Sequence, residues 1–265
     1  MASDGFTCTV LGCRGSMSVS GEDFQEFGTA TSSYLVEAGG EAIILDAGSG
    51  ILSAPTEFDH VPCILITHLH VDHLMGLGMY PRLSRKGEKT SIYVPATSHK
   101  EAESSLELLY SRPLWPVTLK SYAGQVRIAP VPETLHVGKV TIEAIEGSHP
   151  GGCKVFKISC GDKTLVYATD FEHDEEATDR LSEFAQGADL LLYDGQYTTD
   201  AYETHRGFGH STAEEGMRLM ERAGISRLLV VHHDPGSTDA ELARRERAFG
   251  DDRVHFAREG EVIEL

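Results

Sequence analysis

The sequence lacks the features that mark membrane-spanning and secreted proteins. No apolar run approaches the ~18 residues of a membrane span, and residues 1–5 have neither the basic nor the apolar region of a signal peptide. The five cysteines are odd in number and contain no Cys-x-x-Cys pair, which argues against a disulfide scaffold and favours a reducing compartment. We therefore expect a soluble cytoplasmic protein that does not bind membranes.

Basic residues are also scarce. The chain has 23 Lys and Arg against 41 Asp and Glu, a formal net charge of −18. A field of that sign repels a polyanion at long range, so tRNA is not an expected partner, whereas a small molecule is. The sequence does not fix the oligomeric state, and a homodimer is compatible with it.

Prolines number only 10, and no repeat or Pro/Gly/Ser-rich linker divides the chain. Hydrophobic residues make up 40% of the sequence, enough for a folded core. A length of 265 residues is close to the ~200–250 residues that single α/β or all-β domains reach. We expect one domain over residues 1–265.

Short apolar strands precede helices in both halves of the chain. The predicted strands are Phe6–Gly12, Ser33–Asp46 with a hairpin turn at Gly39-Gly40, Cys63–Thr67, Val117–Tyr122, Val126–Val131, Lys139–Ile145, Val155–Cys160, Thr164–Thr169, Leu190–Tyr193 and Leu228–Val231. The predicted helices are His99–Ser111, Glu175–Ala185, Thr212–Ala223 closed by Gly224, and a last helix capped by Thr238. This order predicts an α/β fold, a four-layer αββα sandwich of two facing sheets with helices outside.

One short segment concentrates potential metal ligands. The stretch His68-Leu69-His70-Val71-Asp72-His73 places four of them in six residues, directly after a buried strand. Imidazole and carboxylate are the ligands that zinc and similar divalent metals prefer. His68 and His70 point the same way in an extended stretch, whereas Asp72 and His73 point elsewhere. The spacing therefore predicts two ligand pairs that can serve two metals.

Three later residues repeat the context of an apolar strand that ends in a potential ligand. They are His149, Asp170 and His232. Taken alone, an aspartate at a strand end is more often a turn former. Together with the first segment, the three would complete a two-metal site.

These motifs resemble the metallo-β-lactamase superfamily, from Thr9 to Asp234. Gly207-Phe208-Gly209-His210-Ser211-Thr212, followed by a helix and by Leu228–His232, resembles the tRNase Z-like phosphodiesterase branch. The resemblance implies His68, His70 and His149 on one metal, Asp72, His73 and His232 on the other, Asp170 as a bridge, and Asp46 as a support behind the ligands. Two divalent metal ions are thus expected, zinc first, with manganese or iron as alternatives.

The choice of one metal ligand stays open, and the chain lacks two segments that named relatives have. His233 lies beside His232, and strand alternation favours His232 as the ligand without excluding its neighbour. The chain lacks the Gly/Pro-rich arm by which tRNase Z grips tRNA, and the cysteine-rich zinc loop of the carbon–phosphorus-pathway phosphodiesterases. Arg14, in the loop after the first strand, is expected to be solvated, with substrate contact as the alternative.

The implied site supports hydrolysis without a serine or cysteine nucleophile. Two metals lower the pKa of a bridging water toward ~7, and Asp72 can orient the resulting hydroxide. His210, just before the Thr212 helix, can stabilise charge on a phosphoryl oxygen or protonate the leaving alkoxide. Asp194 falls where the branch has an acidic partner for this histidine.

We therefore expect a dinuclear metal-dependent hydrolase that cleaves a small or cyclic phosphodiester with a metal-bridging hydroxide. The alternatives are a thioester or lactone hydrolase on the same fold, and a non-catalytic ligand-sensing protein. The complete ligand spacing argues against the last, and His210 with its helix favours phosphate.

Overall fold

The structure, a computed structural model, describes residues 5–265 and builds two seven-stranded sheets from them. The first contains β1 (Phe6–Gly12), β2 (Ser33–Ala38), β3 (Glu41–Leu45), β4 (Cys63–Leu65), β5 (Lys89–Val94) and β6 (Gln125–Pro130). The second contains β7 (Thr134–Val137), β8 (Val140–Glu146), β9 (Lys154–Cys160), β10 (Lys163–Ala168), β11 (Leu190–Asp194), β12 (Arg227–Val231) and β13 (Val254–Phe256). A last strand, β14 (Val262–Glu264), pairs with β1 and completes the first sheet.

Five α-helices and six short 3-10 segments connect the strands between residues 5 and 265. The helices are α1 (His99–Glu107), α2 (Glu175–Phe184), α3 (Thr199–His205), α4 (Ala213–Ala223) and α5 (Asp239–Phe249). The 3-10 segments are Glu22–Phe24, Ser49–Ser53, Val71–His73, Leu77–Met79, Pro81–Ser84 and Leu119–Ser121. Threonine caps begin α4 and α5, since Thr212 and Thr238 accept hydrogen bonds from backbone N–H groups three residues on. Gly224 ends α4 with φ 64°, as predicted.

The sheets are antiparallel at one side and parallel at the other. The order of the first is β14-β1-β2-β3-β4-β5-β6, and that of the second is β13-β12-β11-β10-β9-β8-β7. Pairing is parallel from β3 to β6 and from β10 to β13. Because the carboxyl ends of parallel strands meet at one edge of a sheet, residues that follow β10, β11 and β12 become neighbours.

Three apolar layers separate the sheets and helices. The middle one lies between the sheets and joins residues such as Tyr34 and Leu65 to Tyr167 and Leu192. The other two cover the outer faces, one beneath α2, α4 and α5, the other beneath α1 and the 3-10 segments. The predicted four-layer αββα sandwich is confirmed.

Local predictions failed at the middle of the chain. Val117–Tyr122 is not a strand but surrounds the 3-10 turn Leu119–Ser121, where Ser121 N donates to Thr118 O at 2.9 Å. Its apolar residues suggested a strand, yet only Leu119 is fully buried there. The strand β7 and the helix α3 were missed, since both are short and largely exposed.

A polar cluster joins α5 to the last strands. His255 Nδ1 lies 2.8 Å from Glu246 Oε1, and His255 Nε2 lies 2.9 Å from Glu261 Oε1. Arg258 Nη2 binds the other oxygen of Glu246 at 2.8 Å. The hydrogen bonds to the two glutamates raise the pKa of His255 to about 9. We call these four residues the His255 cluster.

Among residues 5–265, no helix combines the length and apolarity needed to cross a bilayer. Residues 1–4, part of the segment predicted not to be a signal peptide, lie outside the described range.

Candidate metal centre

Strand ends deliver most of the predicted ligands to one edge of the sandwich. His68 follows β4, and Asp170 and His232 follow β10 and β12. The 3-10 segment Val71–His73 then turns Asp72 and His73 back toward His68. Residues far apart in the sequence thus meet because their strands end together.

The first group of donors consists of histidines only. His68, His70 and His149 each offer a ring nitrogen, and these atoms lie within 4.8 Å of one another. His149 Nε2 and His70 Nδ1 are 3.1 Å apart, while His149 Nδ1 donates to Gly209 O at 2.8 Å. The backbone carbonyl therefore fixes which nitrogen of His149 faces the group. We call these three residues the histidine set.

The second group mixes carboxylates and imidazoles, and we call Asp72, His73, Asp170 and His232 the mixed set. His73 Nε2 is 3.2 Å from a carboxylate oxygen of Asp72 and 3.2 Å from one of Asp170. His232 Nε2 is 3.3 Å and 3.4 Å from the same two oxygens. All four residues are buried.

Asp170 lies between the two sets. Its Oδ2 is the atom near His73 and His232, whereas its Oδ1 is 3.7 Å from His68 Nε2. One oxygen therefore faces each set. This is the placement that a bridging carboxylate would need.

The donor atoms fit divalent metal ions. His68 Nε2 and His73 Nε2 are buried and have no hydrogen-bond partner, an arrangement that is costly unless each atom faces a cation. Nitrogen and carboxylate donors suit zinc and neighbouring transition metals. The buried His and Asp groups indicate divalent metal binding.

Electrostatics favour the metal-binding protonation states of His68, His149 and Asp170. Burial, with His73 adding to it, lowers the pKa of His68 well below its usual value, and burial also lowers that of His149. Burial opposes ionisation of Asp170, but the neighbouring His232 and His73 outweigh it and hold its pKa well below the usual range. Neutral imidazoles and ionised carboxylates are the binding forms. Burial opposes protonation of His73, but Asp170 and Asp72 outweigh it and raise the pKa of His73 well above its usual value, so a metal ion would displace a proton there.

Asp46 binds the ring nitrogen of His73 that faces away from the mixed set. Its Oδ2 accepts hydrogen bonds from His73 Nδ1 at 2.8 Å and from the Tyr167 hydroxyl at 2.8 Å. Its Oδ1 accepts the Thr67 N–H at 2.7 Å, and the Thr67 hydroxyl donates to Oδ2 at 2.9 Å. The carboxylate thus fixes the His73 tautomer whose Nε2 points to the mixed set.

Unusual backbone conformations gather at the same place. Among residues 5–265, the non-glycine residues with positive φ are Ser16 (60°), Asp46 (58°), Asp170 (50°) and His232 (59°). Such conformations cost about 1–3 kcal/mol each and persist only where the surroundings impose them. Ser16 uses this conformation to donate its backbone N–H to Asp72 Oδ2 at 2.9 Å. All four therefore serve the candidate centre.

His210 and Asp194 form a pair beside the two sets. His210 Nδ1 lies 2.9 Å from Asp194 Oδ2, and Asp194 Oδ1 accepts the Gln196 N–H at 3.0 Å. Burial alone would lower the pKa of His210, but the Asp194 carboxylate outweighs it and raises the pKa to about 9. His210, Asp194, Asp170 and His232 also place donor atoms within 4.8 Å of one another, so the geometry allows His210 a ligand role as well.

The adjacent histidines at the end of β12 have different surroundings. His232 belongs to the mixed set, whereas His233 Nε2 donates to Ala257 O at 2.9 Å and its ring stacks on Phe256. Burial lowers the pKa of His233 to about 3. Of the two, the structure brings only His232 to the centre.

Arg14 was wrongly expected to be solvated. Its side chain is fully buried, where Nε donates to Gly28 O at 2.8 Å and Nη1 to Ser237 O at 2.7 Å. The next residue, Gly15, approaches so closely that a Cβ would lie 2.4 Å from His232 Nδ1. Arg14 therefore anchors the loop that packs against His232, a role that its sequence context did not reveal.

Glu172 was not singled out from the sequence. It accepts the N–H groups of Gly207 at 2.6 Å and Gly209 at 2.9 Å, and the Tyr202 hydroxyl at 3.1 Å. Its partners lie at least 30 residues away, so no local pattern could have identified it.

Comparison with known proteins assigns the family. The beta-lactamase superfamily domain matches residues 41–233, which include Asp46, both donor sets and His210. The chain belongs to the beta-lactamase superfamily. Members with related sequences include the probable metallo-hydrolase YhfI of Bacillus subtilis (strain 168), 27% identical over 267 residues that cover 97% of this chain and 98% of that protein.

Other superfamily members are similar over most of the chain. A ribonuclease Z of Ignicoccus hospitalis is 26% identical over 248 residues, covering 77% of this chain and 82% of that protein. The crystal structure of YhfI from Bacillus subtilis shares the fold with a TM-score of 0.75, 24% identity and coverage of 99% and 100%. The structure of a diphosphatase from the PhnP family shares it with a TM-score of 0.74, 18% identity and coverage of 98% of both chains.

These relatives, together with the buried His and Asp groups, support a metallo-hydrolase in the tRNase Z-like branch of the superfamily. The predicted family resemblance is confirmed.

Proposed function

We propose that this superfamily member is a dinuclear metal-dependent phosphodiesterase that cleaves a small or cyclic phosphodiester. The observation that carries the proposal is the position of the His210–Asp194 pair, 2.9 Å apart, beside the histidine set and the mixed set, with Asp170 between them. The donor sets supply metal sites, and the pair supplies a charged group where a phosphoryl oxygen would lie.

In this proposal, one group of residues binds the metal ions and another positions the attacking water and the substrate. The histidine set would hold one ion and the mixed set the other, with Asp170 between them. When bound, two such ions supply a water of lowered pKa and positive charge for phosphoryl oxygens. Zinc is the first candidate, with manganese and iron as alternatives. Asp72, held by the Ser16 N–H at 2.9 Å, would orient the attacking water.

His210 would act on the phosphate. Asp194 binds its Nδ1, which leaves Nε2 for a substrate oxygen. In its protonated form, His210 stabilises negative charge on a phosphoryl oxygen or donates a proton to the leaving alkoxide. The pair would thus supply the proton at the atom where the bond breaks.

Charge favours a small substrate. The net charge of −18 opposes the approach of a polyanion, while a simple diester carries about one negative charge that the centre can neutralise locally. The ribonuclease Z relatives favour a second candidate, cleavage of RNA. The two candidates differ in how their rates depend on substrate length and salt.

A substrate comparison tests the proposal. The protein is purified without chelator, supplemented with metal, and assayed for kcat/KM on a chromogenic diester, a cyclic nucleotide, a precursor tRNA and a thioester. We expect turnover of the small diesters at low and physiological salt. Efficient tRNA processing at physiological salt would favour the RNA candidate, and activity on thioesters alone would favour a thioester hydrolase.

Metal stoichiometry tests the dinuclear part. Elemental analysis of the supplemented protein should approach two ions per chain, and Asp170→Ala should lower that number because both sets lose a shared donor. A value that stays at one and does not change in Asp170→Ala would refute two sites.

His210→Ala tests the role in phosphate handling. It should lower kcat by about 10²–10⁴, the usual contribution of a positioned acid or base, with metal content unchanged. His136→Ala, which alters an exposed histidine on β7, is the matched control and should keep full activity. Loss of metal in His210→Ala would make His210 a ligand instead.

A further inference from the structure

Phe208 is an exposed aromatic residue beside the candidate centre, and a glycine lies on each side of it. Its side chain is 59% exposed, and it lies two residues before His210. The glycines on either side have left-handed backbones, with φ 86° at Gly207 and 91° at Gly209. Single exposed apolar residues are common on proteins, so exposure alone carries no conclusion. Phe208 differs from such residues in how its loop is fixed and in the rings that it contacts.

The loop that carries Phe208 is fixed on both sides. The two carboxylate oxygens of Glu172 separately accept the N–H groups of Gly207, at 2.6 Å, and Gly209, at 2.9 Å. The carbonyl of Gly209 accepts from His149 Nδ1 at 2.8 Å. The segment therefore cannot shift without disturbing a residue of the histidine set. Because its backbone is already fixed, the loop that carries Phe208 loses little conformational freedom when a ligand binds.

Phe208 is the outer end of a row of rings that reaches the centre. Its ring lies 5.3 Å from the His205 ring at 87°, and His205 lies 4.7 Å from Tyr197 at 32°. Tyr197 in turn lies 5.7 Å from His210 at 82°. We call Tyr197, His205 and Phe208 the aromatic platform. It begins next to His210, the residue proposed to bind phosphate, and ends at the exposed side chain of Phe208.

The charges near the platform do not favour an ionic group. Arg206 is paired with Glu203 at 2.7 Å, and Glu172 is committed to backbone N–H groups. The guanidinium also lies 5.3 Å from the Tyr202 ring. A ligand group on the platform would therefore be recognised by its flat face and not by its charge.

We propose that the aromatic platform binds the nucleobase of a nucleotide substrate whose phosphate lies at His210. This deepens the proposed phosphodiesterase function and depends on it only for the phosphate position. A nucleobase is planar, uncharged at neutral pH and linked to its phosphate through a ribose, so it can stack on Phe208 while the phosphate stays at the centre. Removing one such stacking partner typically weakens binding by about 5- to 150-fold.

Calorimetric binding to the metal-loaded protein tests the inference without turnover. Adenosine 5′-monophosphate and ribose 5-phosphate are compared, because they share phosphate and ribose and differ by the base. The wild type should bind the nucleotide at least about 5-fold more tightly. Phe208→Ala and Phe208→Leu should remove that preference and leave the affinity for ribose 5-phosphate unchanged. Leu108→Ala, which alters a side chain 77% exposed elsewhere, should keep it.

Three results would overturn the inference. The first is equal affinity of the wild type for both ligands, or binding of neither. The second is a Phe208→Ala variant that retains the preference. The third is a change in sedimentation of Phe208→Ala from dimer to monomer without a change in ligand preference, which would make Phe208 a subunit contact. A preserved nucleotide preference in a protein that cleaves no diester would instead refute the proposed reaction and leave the platform standing.

Discussion

Asp46→Asn tests whether a residue behind the ligands controls the metal centre. The side chains are nearly the same size, and asparagine tolerates the left-handed backbone of φ 58° at this position, so the substitution adds no backbone strain. It changes the hydrogen-bonding capacity. The carboxylate accepts from His73, Thr67 and Tyr167, whereas an amide can accept at only one of its two ends.

The magnitude follows from these contacts. If the amide oxygen keeps the Thr67 N–H, its NH2 group faces the donors of His73 and Tyr167. His73 then loses the bond that fixes its tautomer, which typically weakens metal binding by about 10- to 100-fold. The exposed fraction of Asp46 is 0%, so each donor left unpaired there costs about 1–3 kcal/mol of folding stability.

Two measurements separate these effects. Competition with a chelating dye gives the metal affinity, and urea unfolding of the metal-free protein gives the free energy of unfolding. Asp189→Asn is the control, because Asp189 also accepts a backbone N–H, from Thr164 at 2.8 Å, but lies at the opposite ends of the strands. Unchanged metal affinity in Asp46→Asn, with the tautomer of His73 unchanged by NMR, would refute the reasoning.

Two further predictions concern a glycine and the His255 cluster. Gly209→Ala should lower the metal content, because a Cβ at this position would lie 2.0 Å from His149 Nδ1. Gly207→Ala is the control, since Gly207 has a similar φ but nothing within 4 Å of an added Cβ, and it should keep its metal. Equal losses of metal in the two variants would show that backbone strain is the cause. The free energy of unfolding should fall as pH rises from about 6.5 to 9. The pKa of His255 is raised to about 9 in the folded protein, so protonated His255 stabilises the fold fully only below its unfolded pKa of about 6.5. Urea titrations across this range should show a smaller fall in His255→Gln, and an identical fall would contradict the assignment.

The parts of the site that the sequence predicted are those that local pattern controls. Continuous apolar runs identify buried parallel strands, and His68, Asp170 and His232 follow such runs. A polar residue directly after a buried strand lies at the sheet edge, whatever the rest of the chain does. The sequence pattern therefore identified these candidate ligands, whereas their division between two metals was implied by the resemblance to the superfamily.

The parts that were missed depend on contacts between distant segments. Arg14 follows a glycine-rich pattern typical of a surface loop, but its hydrogen bonds go to Gly28 and Ser237. Glu172 was not singled out from the sequence, yet its carboxylate holds the loop before His210. Val117–Tyr122 has the apolar content of a strand but folds around a 3-10 turn in which only Leu119 is buried. In each case tertiary packing overrides the local pattern.

The left-handed backbone at Asp46, Asp170 and His232 also bears on how this enzyme could be engineered. Glycine is the residue that such φ values favour, so replacing any of the three would relieve local strain while deleting a donor or its support. At Asp46 that relief is outweighed by the donors of His73, Thr67 and Tyr167 that would be left unpaired, so a library screened only for heat resistance would meet this trade-off at Asp170 and His232. Directed evolution of this chain needs a catalytic screen in every round, because backbone strain at these positions can be relieved only by giving up a ligand.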